Sequence, residues 1–128
     1  MTLWEAIRAV WTSSAHAARG ILFAVRSQRN LRIQLTAAGA AFTAGVFLKF
    51  GRLEWVLLLL TVGLVLLGEL LNTAMEFALN LVEARDHPVV RMAKDIAAGA
   101  MLLTVIASIG IGLLLFGPPL WAFLKGVR

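Results

Sequence analysis

The chain has 128 residues, 60% of them apolar or aromatic and only 15% charged, with a mean hydropathy of +0.86. A soluble domain this small is usually about half apolar and a quarter charged, because most of its surface must face water, so a disordered chain, an acidic tail and an ordinary soluble enzyme all fit badly. Twelve Lys and Arg against seven Asp and Glu give a net charge of +5, which suits either nucleic acid or an anionic membrane surface; the apolar excess favours the membrane and argues against a nucleic-acid partner. The absence of cysteine excludes disulfide frameworks, thiolate nucleophiles and cysteine-ligated metal sites, so any metal must be held by oxygen or histidine.

Residues from about 2 to 28 read as an amphipathic helix lying in the headgroup region. Trp4, Ile7, Trp11, Ala15 and Ala18 recur at helical spacing, then Ile21, Leu22 and Val25, with Arg8, Arg19, Arg26, Arg29 and Arg32 interspersed. No apolar run with a small-residue cleavage site opens the chain, so a cleaved signal peptide is not expected. Three segments then reach the length a bilayer core of about 30 Å requires. The first spans about 33–50 and carries no charge from Ile33 to Leu48, with a single amide, Gln34. The second spans about 54–82 and is interrupted by Glu69 and Glu76. The third spans about 94–116, where Gly117, Pro118 and Pro119 are expected to close it because consecutive prolines do not continue a helix. The short connection from Lys49 to Glu54 makes the first two spans an antiparallel hairpin. The expected fold is one all-α membrane domain over residues 1–128, a surface helix plus three transmembrane helices. Five basic residues precede the first span, and Arg85, Arg91 and Lys94 lie between the second and third; Lys49, Arg52, Lys125 and Arg128 lie on the other side. That asymmetry places the N-terminus and the second loop in the cytoplasm. Trp4, Trp11, Trp55 and Trp121 read as interface anchors.

Ionisable groups in hydrocarbon are costly and belong on a bundle interior or a water-filled site. At about 100° per residue, Glu69, Asn72, Thr73, Glu76, Asn80 and Glu83 fall on one face roughly 100° wide. Leu70, Leu71, Phe77 and Leu81 take the opposite face. A second cluster, Arg91, Lys94, Asp95 and Ala98, opens the third span, and the small run Ala97 to Ala100 allows close helix approach. Such a set suits phosphoryl transfer at a membrane surface. Carboxylates can hold magnesium, a lysine can neutralise developing charge, and another carboxylate can accept a proton from an attacking hydroxyl. Neither a G-x-x-x-x-G-K-[ST] loop nor a kinase Gly-rich loop is present. The same residues also suit a proton-coupled transporter or a non-catalytic scaffold held by hydrogen bonds, and they do not by themselves name a substrate.

Three stretches carry a resemblance over nearly the whole chain. They are Arg19-Gly20 with Arg29-Asn30-Leu31-Arg32-Ile33; Gly68-Glu69-Leu70-Leu71-Asn72-Thr73-Ala74-Met75-Glu76; and Ala93-Lys94-Asp95-Ile96-Ala97-Ala98-Gly99-Ala100. The E-x-x-N-[ST]-A-x-E pattern followed by A-K-D and small residues resembles the prokaryotic integral-membrane diacylglycerol kinase and undecaprenol kinase family. The resemblance implies a homotrimer with sites shared between subunits at the inner (plasma) membrane, in which ATP, with Mg2+, phosphorylates a lipid hydroxyl. It implies that Glu69 is the general base and that Asn72 organises it. Glu76 and Gln28 would bind the metal and, with Arg85, Asp86, His87, Lys94 and Asp95, the nucleotide. Asn30, Leu31, Arg32, Ile33, Gln34 and Ala98, beside Glu69, would line the lipid path. Gln28 stands where many members carry glutamate, and Asn80 where many carry aspartate. The Arg29 to Ile33 and Asp95 to Gly99 stretches look more like the undecaprenol branch than the diacylglycerol branch.

Overall fold

The computed structural model describes residues 2–81 and 87–126, which form four helices and no strand. They are α1 (Leu3–Ser27), α2 (Arg29–Phe47), α3 (Arg52–Asn80) and α4 (Pro88–Leu124). Glu83, Arg85 and Asp86 lie outside the described residues.

Helix α1 starts on a capping box: Glu5 N–H donates to Thr2 Oγ1 at 3.3 Å, and Thr2 N–H donates to a Glu5 carboxylate oxygen at 2.7 Å. Two orphan amides at the helix start are thereby satisfied. Its apolar side is left uncovered by the rest of the chain, with Trp4 78% and Trp11 77% exposed. A helix with one bare apolar side and interspersed arginines has the character of a helix lying in the interfacial plane of a bilayer. Only at its end does α1 enter the protein, where Ala24 is buried and Phe23 packs on Phe77 of α3 at 5.6 Å between ring centroids. The chain breaks at Gln28, whose extended backbone (φ −102°, ψ 118°) ends α1 and begins α2.

Helices α3 and α4 are long and apolar enough to cross a membrane, yet only 17% and 11% of their most apolar windows is buried inside the chain. The core helix of a soluble protein would be mostly covered, so these surfaces require lipid or another subunit. At 1.5 Å per residue, α4 with its 37 residues is about 55 Å long and outlasts a core of about 30 Å. Helix α2 does not reach the same standard of length and composition: its uncharged run is short, rich in Ala, Gly and Thr, and preceded by Arg29 and Arg32.

The hairpin between α2 and α3 is closed by an aromatic cluster. Phe42 stacks on Trp55 (centroids 6.0 Å, interplanar 10°), and Phe50 meets both Trp55 and Phe116 of α4. Gly45 makes this possible, since a Cβ there would lie 3.1 Å from Phe50 and 3.2 Å from Trp55. The turn itself places Lys49 in the left-handed region (φ 56°), with Phe50 N–H returning to the Gly45 carbonyl at 3.0 Å.

One expectation is corrected. Gly117, Pro118 and Pro119 do not end the last helix; α4 runs through them to Leu124. Each proline removes one i to i−4 hydrogen bond, but its fixed φ is itself helical. Near a membrane-exposed helix end the freed carbonyls can be satisfied by local adjustment or water.

Candidate active site

Antiparallel packing of α2, α3 and α4 brings the α1–α2 junction, the C-terminal half of α3 and the N-terminal third of α4 to one end, away from the aromatic cluster. Gly68 sets how closely α4 approaches: a Cβ there would meet Met101 Sδ at 3.2 Å and Thr104 Oγ1 at 3.3 Å. The next residue, Glu69, is therefore enclosed. It is 3% exposed and Thr73, one turn on, is 5% exposed.

The polar face of α3 is real but divides along its length. Glu69 is covered by α2, from which Gln34 Nε2 donates to Glu69 Oε2 at 3.3 Å. Asn72 is half-buried, and Glu76 and Asn80 are exposed. Between them lie two adjoining spaces. A cavity of about 400 Å³ is lined by Asn30, Gln34, Glu69, Asn72 and Ala98, with Met101, Leu102 and Val105 behind them. A smaller one of about 180 Å³ is lined by Asn72, Glu76, Lys94 and Ala98. Asn72 and Ala98 belong to both and form the boundary between a buried carboxylate and an exposed carboxylate with a lysine.

Lys94 donates to Asn80 Oδ1 at 2.8 Å, so the ammonium is positioned by a neutral amide and keeps its charge uncompensated by that partner. Glu76 makes no ion pair among the described residues, which leaves its carboxylate open as a hard oxygen donor. No cluster of three or more His, Asp or Glu suited to a metal forms among the described residues. Magnesium needs no such cluster; one or two carboxylates plus substrate phosphates suffice. Glu76 and the carboxamide oxygens of Asn72 and Gln28 are chemically suited to it.

Other expected site residues stand apart in the single chain. His87 is exposed and caps α4, its Nδ1 accepting from Val89 N–H at 3.2 Å. Asp95 and Arg91 border a separate depression with Pro88 and Met92, which Lys94 does not line. Gln28 sits at the α1–α2 junction with no side-chain capping bond. In the Asn30 to Gln34 stretch, Leu31 is buried in the packing (2% exposed), and Arg32 Nη1 donates to the Arg26 carbonyl at 3.3 Å; Asn30, Ile33 and Gln34 reach the larger cavity. Sequence reasoning overlooked Met101, Leu102 and Val105, although they follow Ala98 at i+3, i+4 and i+7, the spacing of one helix face.

A buried carboxylate beside an exposed carboxylate and a lysine, at one end of helices long and apolar enough to cross a membrane, marks a candidate site in an all-helical chain. A sequence model described as prokaryotic diacylglycerol kinase matches residues 15–116. The chain is 39% identical over 108 residues to the undecaprenol kinase of Bacillus subtilis (strain 168), covering 84% of this chain and 88% of that one. It is 37% identical over 118 residues to a diacylglycerol kinase of Synechocystis sp. (strain ATCC 27184 / PCC 6803 / Kazusa), covering 91% of this chain and 67% of that one. The protein belongs to the prokaryotic diacylglycerol kinase family and is a lipid kinase of the membrane.

Proposed function

We infer that the protein transfers the γ-phosphate of ATP to the hydroxyl of a membrane lipid alcohol, with Glu69 as the general base. The observation that carries this reading is the enclosure of Glu69 within a cavity that also adjoins the Glu76 and Lys94 space. The lipid hydroxyl donates to Glu69 and loses its proton there as its oxygen attacks phosphorus, and ADP leaves with the electron pair of the broken P–O bond. Asn72, on the boundary between the two spaces, orients the reacting groups. Lys94 faces the phosphates, and the positive end of the α4 dipole at His87 adds to its field. Magnesium, held by Glu76 with Gln28 or Asn72, would neutralise charge on the phosphate oxygens. Arg85, Asp86, His87 and Asp95 complete the nucleotide contacts in this reading.

A third membrane span over α2, a cytoplasmic N-terminus at the inner membrane and a homotrimer complete the proposal. The trimer is supported by the exposure of Glu76 and Asp95 and by the apolar surface that α3 and α4 leave bare. Residues standing apart in one chain, Gln28 and Asp95 among them, would then join the site from a neighbouring copy.

Undecaprenol is favoured over diacylglycerol as substrate. Beyond Gln34 and Val105 an apolar cavity of about 250 Å³ runs between α2, α3 and α4. Its two hydroxyls are engaged within their own helices, Thr61 to the Leu57 carbonyl at 2.7 Å and Ser108 to the Val105 carbonyl at 2.8 Å. That space would receive the hydrocarbon of either lipid, so the preference for undecaprenol stands on the Arg29 to Ile33 and Asp95 to Gly99 stretches. Offering both lipids with radiolabelled ATP to the purified protein tests this; a higher kcat/KM for diacylglycerol would reverse the assignment.

Two variants probe the nucleotide end. Gln28→Glu restores a formal negative charge and is expected to lower the magnesium concentration for half-maximal activity by roughly tenfold; an unchanged magnesium titration would remove Gln28 from the metal shell. Asn80→Asp gives Lys94 a charged partner that competes with phosphate. The KM for ATP is expected to rise about fivefold with little change in kcat, read from initial rates against ATP concentration.

A further inference from the structure

Glu69 is buried, and among the described residues its carboxylate accepts one hydrogen bond, from Gln34, 35 residues away on α2, at 3.3 Å. The other end of the same carboxamide, Gln34 Oε1, is buried and has no hydrogen-bond partner among the described residues. Buried acceptors are almost always satisfied, and an orphan one is a stored cost or a place where a donor arrives during function. Gln34 also lies where the polar cavity at Glu69 meets the apolar cavity beyond it. Among the described residues no other titratable side chain lines the cavity around Glu69: α2 contributes Asn30, Ile33 and Gln34, and α4 contributes Ala98, Met101, Leu102 and Val105. On the surrounding elements the neighbouring charges are Arg26 on α1, Arg29 and Arg32 on α2, Glu76 on α3 and Lys94 on α4, none of which lines that cavity.

A carboxamide has a donor end and an acceptor end of nearly the same shape, exchanged by a half-turn about its terminal bond. A general base has two states with opposite needs: the carboxylate accepts, and the acid formed by proton transfer donates. We propose that Gln34 is a positioning residue matched to both states of Glu69, holding the carboxylate through Nε2–H before the transfer and accepting the new acid O–H through Oε1 after it. The proposal rests on the reading of Glu69 as the base. In the step, the lipid O–H bond breaks and its proton passes to the free oxygen of Glu69, and a half-turn of the new carboxyl group about its terminal bond brings the acid O–H round to face Gln34. The hydroxyl oxygen bonds to the γ-phosphorus as the bond to ADP breaks, and Gln34 turns over. The acid later loses its proton to water entering the cavity, which returns Gln34 to the observed arrangement. Before the transfer, the donor bond leaves one carboxylate oxygen of Glu69 for the substrate and fixes the plane of the group.

The direct test follows the side-chain amide resonances of Gln34 by NMR in the unmodified protein, in detergent and without substrate, as pH is varied. They are expected to titrate with the midpoint of the Glu69 carboxyl, and that titration is expected to vanish in Glu69→Gln. Gln34 resonances that ignore the Glu69 titration would overturn the proposal, whatever the fate of any Gln34 variant. The second test compares the pH profile of kcat/KM for the lipid alcohol in the wild type and in Gln34→Met, which keeps the length and removes both polar ends. A hydrogen bond to the ionised form is roughly twice as strong as one to the neutral form. Losing both removes that preference, and the acidic limb is expected to differ from that of the wild type. A limb that stays in place would reduce Gln34 to a packing residue. If Glu69→Gln itself keeps full activity, it is the assignment of the base that fails, while the NMR result still reports whether Gln34 follows the protonation of Glu69.

Discussion

Glu69→Gln is expected to lower ATP-dependent lipid phosphorylation by roughly 10²- to 10⁴-fold, the contribution of a well-placed general base. The substitution is close to isosteric, so the packing set by Gly68 against Met101 and Thr104 is kept. An amide at position 69 can still bond to Gln34, but it cannot take a proton from the lipid hydroxyl. The loss is therefore expected in kcat, with the KM for ATP nearly unchanged and the oligomeric state intact. Initial rates across both substrates, with size-exclusion chromatography of the same preparation, separate chemistry from assembly. A variant that assembled normally and kept full activity would remove Glu69 from the proton-transfer step. A variant that fell apart would make the buried carboxylate structural, as a non-catalytic scaffold requires.

Glu76→Gln is expected to have the next largest effect, for a different reason. Glu76 is exposed on the same face of α3 as Glu69 and shares its cavity with Lys94. Removing its charge leaves Asn72 and Lys94 as the polar groups lining that space, a poor environment for a divalent ion. Metal ions contribute several kcal/mol to phosphoryl transfer, so activity at ordinary magnesium concentrations is expected to fall by about 10²- to 10³-fold and to recover partly as magnesium is raised. Glu69→Gln is expected to show no such recovery. The contrast assigns the two carboxylates to separate tasks, and equal behaviour in a magnesium titration would count against that division.

The polar face of α3 was legible from sequence because a helix repeats about every 3.6 residues, and Glu69, Asn72, Thr73, Glu76 and Asn80 share a phase. Which of the two glutamates is buried was not legible, since both have nearly the same phase. The difference is set by how far α2 reaches along α3 and by the absence of a side chain at Gly68. The link between Gln34 and Glu69 joins two helices 35 residues apart, and no local pattern encodes it. Asn80 stood out as a departure from the family pattern, but its partner Lys94 lies across an interhelical contact. The diprolyl at Pro118 and Pro119 misled in the other direction. The rule that proline breaks helices assumes interior positions in water, whereas α4 carries both residues near its exposed end. The aromatic cluster of Phe42, Phe50, Trp55 and Phe116 was also beyond reach, because it depends on the turn geometry at Lys49 and on the missing side chain of Gly45.

Proton abstraction from a lipid alcohol by Glu69, for attack on the γ-phosphate of ATP, is the step on which the proposed function stands. Its most direct test incubates purified wild-type protein and Glu69→Gln with γ-labelled ATP, magnesium and undecaprenol or diacylglycerol in mixed micelles, and follows label into the lipid fraction. Label is expected in the lipid phosphate with the wild type, faster for undecaprenol, and at background with Glu69→Gln. Equal incorporation by the two proteins would contradict the account.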